Sequence, residues 1–284
     1  MYILVTSMTD SIVVYSNELY RAATPAPIVV TVSGPRLTKE QLKAAARRAY
    51  AGYSVAQIGD PPEPDQPVTI SLESDAGGAV RKQRLFNPYT GDDLGEAVTP
   101  GFRFVSWLLE LHDDLLAGET GRRVNGLGAI LFLALALTGI VVWWPGIKAW
   151  RRSLFVRRNV GWQRFIWDLH SMIGFWTLGI VLMFGLSGAY LGNPTWFQGI
   201  ADRIEPITDA NLGNRIGDQI IYWVAYLHFG RINGIGIPCH GPGLCDQAVK
   251  LAWALAGLVP AVMFVTGALM WWNRVLRKKK LRPR

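Results

Sequence analysis

An apolar run that reaches Thr-Gly and closes on two tryptophans is written twice in this chain. The first copy runs from Thr138-Gly139 to Trp143-Trp144 and the second from Thr266-Gly267 to Trp271-Trp272. Cations follow each copy at once: Lys148, Arg151 and Arg152 after the first; Arg274, Arg277, Lys278, Lys279 and Lys280 after the second. Small residues within, tryptophans at the headgroups and cations beyond them mark a membrane helix leaving the bilayer on its cytoplasmic side. Written twice, the pattern predicts an internally duplicated helical membrane protein.

Composition sets the limits of that reading. Half of the 284 residues are hydrophobic, too many for an ordinary soluble domain and too few for a chain wholly in lipid. The net charge of +8 invites a nucleic-acid reading, but thirteen of the 29 Lys and Arg lie in 145–165 and 273–284, which hold no acid. The remainder is acidic, so the basicity reflects membrane topology and no nucleic-acid partner is expected. No stretch reads as a secretory signal with a cleavage site.

The predicted fold class is a mainly α membrane protein: a transmembrane bundle with an internal repeat plus a small α+β module outside the bilayer. Residues 1–16 are apolar, interrupted by Asp10, and too short to cross about 30 Å of hydrocarbon, so they read as the tail of a first helix. Residues 17–100 read as the α+β module, in which 17–33 is an exit segment broken by prolines. Within it, 36–50 forms an amphipathic helix capped by Thr38, and 68–72 and 79–87 form strands around the turn 75–78, with a second turn at 88–92. A surface helix spans 101–123, and membrane helices occupy 124–146, 165–192 and 249–273. The basic loop 147–164 and the tail 274–284 face the cytosol, whereas 193–248 returns to water on the outer side with a surface helix at 220–229.

Of the four histidines, His112, His170 and His228 share the dipeptide Leu-His at the end of an apolar helical stretch. His112 and His228 fall on the outer side of the membrane and His170 at the inner end of its span. Ionisable groups at such depth usually mark function, and a neutral imidazole there is a natural ligand for haem iron. Gly174, Gly179, Gly185 and Gly188 would let a flat macrocycle approach the backbone. A lone interfacial histidine is more often bonded to headgroups or carbonyls; three in a repeated context favour ligation. A zinc site is disfavoured, because no HxxxH or HxxE spacing occurs.

The paired TG…WW endings, the Leu-His-Ser-Met-Ile-Gly-Phe-Trp start of the second span, the segment Leu-His-Asp-Asp-Leu-Leu-Ala-Gly-Glu-Thr-Gly-Arg and the turn Leu-Phe-Asn-Pro-Tyr-Thr-Gly-Asp resemble the PepSY-associated transmembrane-helix family. The resemblance covers nearly the whole chain. It implies kinship with inner-membrane ferric-siderophore reductases of Gram-negative bacteria, which hold two b-type haems through paired histidines. By that resemblance His112 and His228 are axial ligands of an outer haem and His170 is half of an inner site. The partner of His170 would sit near the cytoplasmic start of the first helix. Aligning Ser187-Gly188 with Thr9-Asp10 places that histidine before Met1, and Asp10 stands where the family has glycine.

His240 rivals His228, since it precedes Thr266 by the same 26 residues that separate His112 from Thr138. His228 is preferred, because it ends a helical run that would orient the ring, whereas His240 sits in the loop Pro238-Cys239-His240-Gly241-Pro242. Cys239 and Cys245 are expected to close a small disulfide loop on the oxidising side. Asp113, Asp114 and Glu119 read as a solvated rim; Arg47, Arg48, Arg81, Lys82 and Arg84 read as solvated cations of the module, with an anionic chelate as a lesser alternative.

The function implied by the resemblance is transmembrane electron transfer through haem, ferric-chelate reductase chemistry in which an unknown cytoplasmic donor reduces the inner site and the outer site reduces a ferric siderophore or other chelate. Two alternatives stand beside it: a haem-free scaffold whose PepSY-like module binds or regulates a periplasmic partner, and a haem subunit relaying electrons to another protein.

Overall fold

The computed structural model describes residues 1–24, 26–61, 63–75, 81–144, 150–208, 214–230 and 243–280. It falls into two compact units, Asn17–Ser106 and Met1–Ser16 with Trp107–Arg284.

In the smaller unit, α2 (Ser16–Ala23) leads through an irregular stretch to α3 (Lys39–Ala49) and four strands, β1 (Tyr53–Ile58), β2 (Val68–Ser74), β3 (Arg81–Phe86) and β4 (Asp93–Glu96). The sheet is antiparallel throughout, in the order β1-β2-β3-β4. Thr38 starts α3 with a full capping box: its hydroxyl accepts from the Gln41 amide and the Gln41 side chain accepts from the Thr38 amide, satisfying two otherwise orphaned donors. Alternation along β2 puts Val68, Ile70 and Leu72 on one face, where Leu42, Ala46 and Phe86 complete the core. Between β3 and β4, the Asn87 side chain accepts from the Tyr89 amide at 2.9 Å, and Gly91 takes φ +76°.

Three expectations for this unit need correction. Residues 17–33 are not only an exit segment, since α2 forms within them, and the sheet has β1 and β4 besides the two strands foreseen. Arg84 is also not a free solvated cation. It grips Asp93 through two parallel contacts of 2.7 and 3.2 Å, and the Tyr50 hydroxyl donates to the same carboxylate. Burial first, then Asp93, pushes the Tyr50 phenol up to about 12. Burial pushes Asp93 upward, but Arg84, Tyr50 and the Gly95 amide outweigh it and leave the carboxyl below its ordinary value.

The larger unit holds α1 (Tyr2–Val13), the end of α4 (Pro100–Asp114), α5 (Gly118–Trp143), α6 (Trp162–Gly192), α7 (Pro194–Ile204), α8 (Ile216–His228) and α9 (Leu244–Lys280). Among the described residues, three helices are long and apolar enough to cross a membrane: Gly118–Trp143, Trp162–Gly192 and Leu244–Val275. Most of their surface is not buried within the protein, and Leu131, Leu135, Val141, Val142 and Trp176 are exposed. Such a continuous apolar surface requires lipid. The chain is a multi-pass membrane protein.

Small residues set the helix contacts. Along α6, Gly185, Gly188 and Gly192 face Leu133, Ala129 and Gly126 of α5, and at the last pair the two backbones touch. This is the glycine spacing that lets membrane helices approach closely. Pro260 interrupts α9, and Ser7 of α1 fills the break: the Ala261 amide donates to its hydroxyl at 3.0 Å while that hydroxyl donates to the Gly257 carbonyl. A polar side chain thus repairs a ladder that lipid cannot solvate. It also fixes α1 on α9, with Asp10 against Gly257.

The segment after α6 does not simply return to water, since α7 forms there. Arg215, 2% exposed, holds Asp202 at 2.8 Å and approaches Asp218 at 3.6 Å, which joins α7 to α8. The hydrogen bond from Arg215 holds the Asp202 carboxyl below its ordinary value. The basic loop is likewise tied down, because Arg157 and Arg164 lie 3.0 and 2.9 Å from the buried Asp168 of α6.

Candidate functional site

Each of His112, His170 and His228 has its Nδ1 held by an oxygen of a neighbouring helix. Ser187 donates its proton to the Met183 carbonyl at 2.7 Å, so its oxygen presents a lone pair to His228 Nδ1, also 2.7 Å away. Thr266 donates to the Val262 carbonyl at 2.8 Å and presents its lone pair to His170 Nδ1 at 2.7 Å. His112 Nδ1 lies 3.2 Å from both the Thr6 carbonyl and Thr9 Oγ1, and a carbonyl only accepts. In the neutral His112 ring Nδ1 therefore carries the proton and turns Nε2 toward a ligand or metal. The same tautomer of His228 and His170 goes with Ser187 and Thr266 spending their protons on their own helix carbonyls.

The two outer histidines come together. His112 at the end of α4 and His228 at the end of α8 have ring centres 6.4 Å apart. Asn125 caps α4 by donating to the carbonyls of His112 and Asp113 at 2.7 and 3.0 Å, and Tyr2 in turn donates to Asn125. On the other side, the Trp253 indole donates to the Leu227 carbonyl at 2.9 Å, and Phe184 meets the His228 ring edge to face. Gly230 takes φ +64° directly against Trp253, where a side chain would collide with the indole. The Leu-His-x-Gly context thus ends α8 tightly and aims His228.

Asp10 completes the cluster. One carboxylate oxygen and one nitrogen from each of His112 and His228 all lie within 4.8 Å of one another, and Asp10 Oδ1 is 3.5 Å from His112 Nε2. His170 stands elsewhere, 17 residues before Ser187 on the same helix, or about 25 Å along it. The Thr266-Gly267 pair receives its ring: beside the Thr266 bond, a Cβ built on Gly267 would sit 3.5 Å from His170 Cε1. His240 and Cys239 lie outside the described residues, so neither the rival outer ligand nor the expected disulfide to Cys245 is addressed by the geometry.

The profile of a family described as PepSY-associated TM region matches residues 1–274. The chain belongs to that family. A Pseudomonas aeruginosa relative, "Uncharacterized protein PA4219", is 35% identical over 88 residues, which cover 30% of this chain and 21% of that protein. The chain therefore matches only a small part of that relative's length.

For this PepSY-associated membrane protein, sequence reasoning named the three histidines but not the groups that orient them. Thr9 and Ser187 are repeat equivalents in the sequence, and the structure gives them the same task, each holding an outer histidine. Thr266 belongs to the duplicated motif itself. Tyr2 carries no signal, because its bond to Asn125 spans more than a hundred residues. Asp113 and Glu119 lie on the surface as foreseen but are paired, with Arg122 and Arg123.

Proposed function

We propose that this protein carries electrons across the bacterial inner membrane through haem iron and delivers them to a periplasmic ferric chelate, such as a ferric siderophore. The observation that supports the reading is that His112, His170 and His228 each have Nδ1 held by an oxygen of a neighbouring helix, which leaves Nε2 as the ligating atom. The outer pair also has a fitting separation. Two imidazoles sharing one metal need about 2 Å for each bond and about 1 Å from each nitrogen to its ring centre, or roughly 6 Å in all. The ring centres are 6.4 Å apart.

On this reading His112 and His228 hold the outer haem and His170 belongs to the inner site. Bound haem supplies a one-electron couple. The protein's part is to hold the imidazoles: Ser187, Thr9 and the Thr6 carbonyl fix the outer rings and Thr266 fixes the inner one, which keeps both nitrogens basic and aimed. Apolar helices around them exclude water and lower the local dielectric, which tunes potential. The two positions differ by about 25 Å along α6, close to the thickness of a hydrocarbon core. Charge moved between them crosses the bilayer. The module Asn17–Ser106 would stand in the periplasm, where a chelate arrives.

The test is an absorption spectrum of the purified full chain expressed with abundant haem. A Soret band with sharp reduced α and β bands is expected, and His112→Ala or His228→Ala should remove the outer signal. A colourless protein overturns the reading and favours a haem-free PepSY scaffold that binds a periplasmic partner.

A further inference from the structure

Asp10 has no place in a bis-imidazole haem site. It stands on an apolar helix that packs against α9, is 17% exposed, and points its Oδ1 at His112 Nε2 from 3.5 Å. Because His112 Nδ1 must donate to the Thr6 carbonyl, the neutral ring offers a lone pair toward a carboxylate that is also only an acceptor. Two acceptors facing one another at this distance need a proton or a cation between them. A protonated His112 would meet that need, but it gives no part to His228, whose ring nitrogen lies within the same 4.8 Å.

We infer that Asp10, His112 and His228 form a mononuclear site for a non-haem divalent cation, occupied when haem is absent. Two imidazoles and one carboxylate are the donor set that suits zinc and ferrous iron, with further positions open to water. Around a tetrahedral ion with bonds of about 2 Å the donor atoms stand about 3.3 Å apart. The Asp10–His112 distance already has that value within a few tenths of an ångström, and the remaining separations of up to 4.8 Å close with side-chain shifts of about an ångström. Asp10 offsets one of the two charges of a divalent ion, and the net +1 that remains can be met by a hydroxide at an open position. Ser187 and Thr6 hold the two rings so that both offer Nε2, as metal-bound histidines are held by their outer partners.

The inference uses the same histidines as the proposed function but does not depend on haem. It makes the two occupants exclusive: a divalent ion in the haem-free protein, displaced when haem enters.

The experiment uses the full chain purified in detergent from haem-starved cells and titrated with cobalt(II) chloride. One Co²⁺ per chain, with visible ligand-field bands that zinc(II) abolishes, is expected. Asp10→Asn should weaken binding about tenfold or more, and His228→Asn should do the same. Asp113→Asn, a carboxylate change one residue from His112 but outside the cluster, should leave it unchanged. Haem loading should block the cobalt bands. Absence of stoichiometric cobalt in the wild-type protein overturns the inference, as does Asp10→Asn binding with wild-type affinity; the wild-type result decides even where a variant fails to fold. Haem uptake without cobalt binding removes the inference and leaves the haem reading intact. Cobalt binding that needs Asp10, in a protein that never takes up haem, does the reverse.

Discussion

Thr138-Gly139 and Thr266-Gly267 open the same motif near the end of the same kind of helix, yet they are put to different use. Thr266 is 5% exposed, bonded to His170, and its glycine leaves room for the ring. Thr138 is exposed and spends its hydroxyl on the Leu135 carbonyl of its own helix, while a Cβ on Gly139 would meet nothing within 4 Å. The pair is a receptor for an imidazole: one residue supplies a lone pair and the other supplies clearance. Whether the receptor is used depends on what the neighbouring helix presents, and among the described residues only the second copy faces a histidine.

The sharpest way to break this contrast is to crowd the two ends of α5. Near its start, Gly126 meets the Gly192 backbone, and neither helix can yield without losing the Gly185 and Gly188 contacts above. Gly192→Val should cost about 3 kcal/mol and lower the thermal midpoint in detergent by several degrees, if the variant accumulates at all. Gly139→Val, in open space on the same helix pair, should move the midpoint by less than a degree or two. Equal effects would mean that the open end of α5 is packed after all.

Much of this arrangement is legible in sequence, and the reason is physical. Length, hydropathy and flanking cations specify the spans of α5, α6 and α9, because lipid permits few alternatives to a helix. Leu-His in a repeated setting marks His112, His170 and His228 for the same reason, since imidazoles are costly there. What escapes is whatever depends on partners distant in the chain. Ser7 gains its role from the break at Pro260, Tyr2 from Asn125, and Asp10 from α1 lying against Gly257. The strands β1 and β4 escape differently: Tyr53–Ile58 exposes alternate residues at a sheet edge, and Asp93–Glu96 is too short and too polar to stand out. Helix α7 escapes because it is short and opens on Asn193-Pro194, which reads as a turn, and its place is settled only by Arg215 holding Asp202.

Removing one methyl-for-hydroxyl difference tests the receptor itself. Thr266→Val keeps the shape but leaves the His170 N–H without its acceptor in an apolar setting, at a cost of about 1–2 kcal/mol. Thr138→Val should be neutral within about 0.5 kcal/mol, because the lost hydroxyl serves only its own helix. Thermal unfolding of the two variants side by side reads the difference directly. A destabilised Thr138→Val would show that the first copy has a partner of its own.

The finest distinction lies at the outer pair, where repeat-equivalent hydroxyls support two histidines unequally. His228 Nδ1 has Ser187 at 2.7 Å, whereas His112 Nδ1 shares its proton between Thr9 and the Thr6 carbonyl, each at 3.2 Å. Ser187→Ala leaves the first ring without an oxygen partner and should cost about 1 kcal/mol. Thr9→Val leaves the second ring its carbonyl, so the cost should be smaller, about 0.5 kcal/mol or less, and the ring should keep the same tautomer. Nitrogen-15 chemical shifts of labelled histidine report that tautomer independently of stability. Retention of the Nδ1 proton on His112 in Thr9→Val, with its loss or exchange broadening on His228 in Ser187→Ala, is the expected pattern. The opposite pattern would mean that the Thr6 carbonyl does not orient His112, and the bare Nε2 on which both metal readings rely would lose its cause.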